Sequence, residues 1–167
     1  MSSIATRFAL ERRVTGDPLG SWTATIATDQ PAHPAVRVHG IDLVRVSRPR
    51  AVRALIDQRM TLLQLALLSD PEVRRVLVVA RLEDACEFDR ACAGFASAAA
   101  SVHRRFELAQ GRPLGIVVMV APRSAPTQEV QRRILEDAPL VPDGAAAVTW
   151  AQARDSGISA ACRMQTL

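Results

Sequence analysis

The chain reads as an α/β domain with a mostly parallel sheet, and three observations carry that reading. Val73 to Ala80 and Leu114 to Ala121 are nearly continuous apolar runs, the pattern of strands buried on both faces of a parallel sheet. Between them Phe88, Cys92, Phe95, Ala99, Val102 and Phe106 recur at intervals of three and four residues, which is one face of an α-helix. Segments of the two kinds alternate along the chain, so the expected connections are right-handed crossovers.

The elements follow in order. Residues 1–20 are expected to form an N-terminal arm, loose or briefly helical, ending near Gly16 to Gly20, and 21–167 the single domain. Trp22 to Ala27 has a strand's composition, and Asp29 to Pro34 breaks it. Val36 to Val46 alternates around Gly40, as two strands or as one with a bulge at the glycine. Pro49 opens a helix, in the position proline prefers. That helix runs to about Ser69, with Val52, Leu55, Ile56, Leu62, Leu63, Ala66 and Leu67 on a wide apolar face. Asp70-Pro71 ends it, and the strand Val73 to Ala80 follows. A second helical stretch extends from about Asp84 to Gln110, stopped by Gly111 and Pro113. After the strand Leu114 to Ala121, Thr127 is placed to cap a third helix, Gln128 to Asp137. Val141 to Gly144 is a turn. Ala145 to Arg154 is a strand edge or a short helix, and Gly157 leads to a polar tail.

Composition bounds the function. The 167 residues suit one domain, and a hydrophobic content of 49% is ample for a core. The chain has no Lys and no Asn, so its basic side chains are Arg apart from three His. Codon usage in a GC-rich genome, expected to be bacterial, would produce that bias. The net charge is +4, but Arg is scattered from Arg7 to Arg163 among 17 acids, so nucleic-acid binding is not expected. Arginine does suit the phosphates of a nucleotide-bearing ligand. Cys86, Cys92 and Cys162 form no Cys-x-x-Cys pair, so neither a zinc ribbon nor a thioredoxin motif is expected. Buried, reduced thiols fit a cytoplasmic protein. Met1 to Val14 lacks a signal peptide's apolar core. No run approaches the roughly 18 apolar residues of a membrane span. His33, His39 and His103 have no metal-site spacing, and His103 is expected on a helix surface. No nucleophile elbow, dinucleotide fingerprint or Walker loop is present.

A set of short motifs stands in a fixed order. Arg48-Pro49 ends a strand, Ala54-Leu55 follows at the head of a helix, and Met60 lies five residues after Leu55. Asp70-Pro-Glu-Val-Arg74 leads into the next strand. Arg112-Pro-Leu-Gly-Ile-Val-Val118 and Leu140-Val-Pro-Asp-Gly-Ala-Ala-Ala-Val148 come later. Together these resemble the crotonase (enoyl-CoA hydratase/isomerase) family over most of residues 40–157. The resemblance implies β-β-α repeated units with a mostly parallel sheet, shortened at the C-terminus. It also implies a ligand that is a coenzyme A thioester, with no other cofactor and no metal.

The family's chemistry uses two backbone N–H groups to hold an enolate-like oxyanion and, in hydratases, two glutamates to activate water. By the resemblance the first donor falls at Ala91, or alternatively at Ala93-Gly94. The competing reading makes this stretch a helix interior, whose amides are already bonded. The second donor loop is missing: Ala121-Pro-Arg-Ser-Ala-Pro126 has no glycine run, and its two prolines lack an amide donor. Glu136 and Glu129 are the acid/base candidates. Arg48, Arg53 and Asp143 are the ligand-binding candidates. The chain is therefore expected to bind or act on an acyl-CoA thioester without the two-glutamate machinery. The alternative within the family is a non-catalytic accessory subunit of an acyl-CoA or polyketide-type pathway. Homo-oligomerisation or a pathway-enzyme partner is expected with either. A STAS-like regulatory βαβ domain is the alternative from another class, although the Asp-Ser-Ser-Gly site usual there is absent.

Overall fold

Among the described residues five strands lie side by side in chain order and all run parallel. The computed structural model describes residues 14–16, 36–46 and 48–165. The strand expected at Trp22 to Ala27, the break at Asp29 to Pro34, His33 and most of the arm lie outside these. The strands are β1 (Val14–Gly16), β2 (Val36–Asp42), β3 (Arg75–Leu82), β4 (Gly115–Pro122) and β5 (Gly144–Thr149). The helices are α1 (Pro49–Leu68), α2 (Phe88–Gln110), α3 (Thr127–Asp137), α4 (Trp150–Ser156) and α5 (Ile158–Gln165). A 3-10 turn, Ala138–Leu140, follows α3.

Val14–Gly16, expected in the arm, instead extends the sheet by pairing with Val38 to Gly40. β2 is one unbroken strand: its register with β3 runs from Val36 opposite Arg75 to Asp42 opposite Arg81, with Gly40 opposite Val79. No bulge forms at the glycine. From β2 onward one helix separates successive strands through β5, so the β-β-α repeat does not recur among the described residues.

Side-chain alternation along the central strands divides the interior into two layers. Val76, Val78, Ala80 and Leu82 of β3 join α1 and α2 on one face. Leu77 and Val79 join α3, α4 and α5 on the other. The steps β2 to β3, β3 to β4 and β4 to β5 all advance the same way across the sheet. A connection that crosses the opposite face must then have the opposite hand. The crossover through α3 is opposite in hand to those through α1 and α2, so the expected uniform right-handedness fails.

Pro49 occupies the first turn of α1, after an extended Arg48. Val52, Ile56, Met60, Leu63 and Leu67 are its buried residues. Leu62 and Ala66, expected on this face, are exposed, because each is one 100° step away from a buried neighbour. α2 buries the anticipated stripe from Cys92 to Phe106 and ends at Gly111, whose φ of +64° is the left-handed conformation glycine tolerates. Its start is Phe88 rather than Asp84. Residues 83–86 form a turn instead, with Cys86 N–H donating to the Glu83 carbonyl. Arg112 stacks over Phe106, 4.7 Å from the ring centroid, and donates to the Val73 and Pro71 carbonyls, tying the α2–β4 turn to the α1–β3 turn.

Thr127 does not cap α3; Pro126 is the N-cap residue and no side chain accepts there. Ala145 to Arg154 divides between strand and helix at Thr149, which forms a capping box with Gln152. The expected polar tail is α5, with Ile158, Ala161 and Cys162 buried. Asp137 fixes its start by accepting the Ile158 N–H at 3.1 Å. At its other end the Gln165 amide donates to the Ala147 carbonyl of β5 at 2.7 Å.

Candidate functional site

Beyond the C-terminal ends of β2 and β3 the N-terminal two turns of α1 and α2 line a crevice of about 710 Å3. Pro49, Arg50, Val52, Arg53 and Ile56 form the α1 wall, and Arg90, Ala91 and Gly94 the α2 wall. Leu82 to Glu87, without Asp84, complete it. Val52, Ile56, Leu82 and Ala91 give it an apolar floor. Parallel α/β sheets hold ligands at this end of their strands, and two helix N-termini add positive potential there. The first turn of α1 has no acidic residue, whereas that of α2 carries Asp89.

The charged groups of the crevice are mostly engaged. Arg53 pairs with Asp57 at 3.2 Å and Arg90 with Glu87 at 3.6 Å. Glu83 is drawn to Arg123 of the β4–α3 loop at 3.5 Å. Arg50, and Arg48 just outside the lining, have no ion-pair partner among the described residues. The β3–α2 and β4–α3 loops are tied further: Arg123 N–H donates to Leu82, Ser124 N–H to the Asp84 carboxylate, and Ala125 N–H to Pro122.

These bonds correct the expected oxyanion donors. The Ala91 N–H already donates to the Glu87 carbonyl at 3.0 Å. Ala93 and Gly94 lie inside α2, where amides are spent on the helix itself. The amides of Arg123 to Ala125 are all engaged as well. The structure thus brings Arg53, Ala91 and Gly94 to one crevice but leaves no pair of free backbone donors at the expected positions.

The remaining candidates stand elsewhere. Glu129 and Glu136 are on α3, across the sheet from the crevice, and Glu136 is held by Arg132 at 2.9 Å. They form no acid/base pair beside Ala91. Asp143 is exposed just before β5, at the opposite end of the strands. Arg48 is exposed at the N-cap of α1.

Sequence reasoning missed Arg50, Arg90 and Cys86. Pro49 marked the helix start, and so the first turn in which Arg50 lies. A helix expected from about Asp84 leaves no room for the turn that carries Cys86 to the wall. Cys86 is half-buried, whereas Cys92 and Cys162 are buried, and burial pushes both of those thiols up to about 11. His103 is not a free surface residue: its Nδ1–H donates to the Leu114 carbonyl at 2.7 Å, and Nε2 lies 3.3 Å from Glu107.

Among the described residues no group of His, Cys, Asp and Glu could hold a metal ion, and no helix is long and apolar enough to cross a membrane. No family model, curated protein or solved structure matches the chain.

Proposed function

We propose that the chain binds a coenzyme A thioester in the crevice between α1 and α2 and serves as an accessory or regulatory member of an acyl-CoA pathway. One observation carries the reading. Pro49, Val52 and Arg53, from the segment that resembles the crotonase family, form one wall of a crevice with an apolar floor and arginines at its mouth. An acyl chain suits the floor, because burying it removes apolar surface from water. The phosphates suit the arginines. Binding without turnover is favoured over hydratase chemistry, since Ala91 spends its amide inside α2 and both glutamates lie across the sheet.

Calorimetric titration with acetyl-CoA and octanoyl-CoA tests this. The expected result is saturable binding, tighter for the longer chain, with no hydration of an enoyl-CoA. Absence of saturable heat with either ligand on the folded protein overturns it.

A further inference from the structure

We infer that Arg50 reads the ligand's charge: the crevice seats one anionic group at its mouth on Arg50 and turns the apolar part inward onto Val52, Ile56 and Leu82. This rests on the acyl-thioester reading and adds the orientation of the ligand and the residue that selects it. Three arginines line the crevice, and two already have carboxylates, Arg53 through Asp57 and Arg90 through Glu87. An anion reaching either must compete with an existing ion pair. Arg50 has no partner among the described residues, so an anion meets it without displacing one. The helix ends point the same way. Arg50 stands in the first turn of α1, which has no acid to offset its positive end, while Asp89 offsets that of α2. A guanidinium can meet a phosphate or carboxylate with two parallel hydrogen bonds. For a coenzyme A thioester the phosphate-bearing end then stays at the mouth and the acyl group enters first.

Cys86 supplies a local readout, because it lines the crevice while Cys92 and Cys162 are buried thiols pushed up to about 11. The experiment measures how octanoyl-CoA slows alkylation of Cys86 in the full chain. It compares wild type, Arg50→Gln and, as a control on α3 across the sheet, Arg132→Gln. Octanoyl-pantetheine, which lacks the phosphates, is the second probe. Arg50→Gln is expected to raise the half-protecting concentration of octanoyl-CoA by about tenfold, the scale of one lost charge-assisted hydrogen bond. Octanoyl-pantetheine protection and the Arg132→Gln variant should be unchanged. Equal protection of Arg50→Gln and wild type by octanoyl-CoA overturns the role of Arg50 and leaves the thioester reading standing. An equal loss for both probes also overturns it, since a group that senses only charge cannot weaken the uncharged probe. Failure of octanoyl-CoA to protect wild type, together with no saturable heat, removes the thioester reading and the inference with it.

Discussion

Gly94 of α2 lies directly beneath Arg53 of α1: a Cβ at Gly94 would stand 3.2 Å from Arg53 Nη1 and 3.6 Å from Ile56 Cδ1. The absence of a side chain lets the two helices meet closely beside the crevice. Only the far end of a flexible arginine is crowded, and it can swing aside. Gly94→Ala is therefore expected to stabilise the fold by up to about 1 kcal/mol through helix propensity, measured by urea denaturation, while displacing the guanidinium from the crevice wall. A large loss of stability would show that Arg53 cannot move.

Gly115 presents the opposite case. A Cβ there would overlap the Pro142 carbonyl oxygen, and that neighbour is backbone. Gly115 and Gly144 are also paired across β4 and β5, so neither strand can retreat alone. Gly115→Ala is expected to cost about 1–3 kcal/mol, the range of overpacking, by the same denaturation measurement. A variant as stable as wild type would mean that β5 slides freely.

Asp137 makes stability depend on pH. Burial pushes its carboxyl above the ordinary value of 3.8, against the lowering effect of the Ile158 N–H and Arg133. The folded state therefore holds this proton more tightly than the unfolded chain. The sign follows from linkage: stability from this group is fully present below the unfolded value and is lost as pH rises through the higher folded value. Asp137→Asn keeps an acceptor for Ile158 and removes the titration. Relative to that variant, wild type should lose stability from about pH 4 upward until the folded carboxyl is fully ionised, with a constant difference above. A pH-independent difference in thermal melting would refute this.

Thiol chemistry should separate the three cysteines. At pH 8 one equivalent of iodoacetamide is expected to react quickly at Cys86, whereas Cys92 and Cys162, buried and raised to about 11, react only on unfolding. Peptide mapping by mass spectrometry checks the order, and rapid labelling of Cys92 would contradict its burial in α2.

Local pattern made much of this architecture legible. Pro49, the Cys92 to Phe106 stripe, Gly111 and the apolar runs of β3 and β4 each depend on near neighbours, and each stands close to its expected place. What escaped depends on distant partners. Val14–Gly16 is a strand only because β2 lies beside it. Ile158, Ala161 and Cys162 have helical spacing, but Ser159, Arg163 and Gln165 make the segment read as polar. The face taken by α3 follows from the hand of one crossover, which no short motif encodes. That single choice carries Glu129 and Glu136 away from Ala91. Arg50 is legible locally, since Pro49 marks the helix start and Arg50 follows it in the first turn.

The Gln165 amide seated on the Ala147 carbonyl has a cost if removed. Among the described residues β5 pairs on one side only, with β4, and a bare strand margin is a template for another chain. Clipping the chain before Gln165 would uncover an acceptor beside a run of small alanines, and the damage would surface as aggregation during storage well before any loss of the crevice.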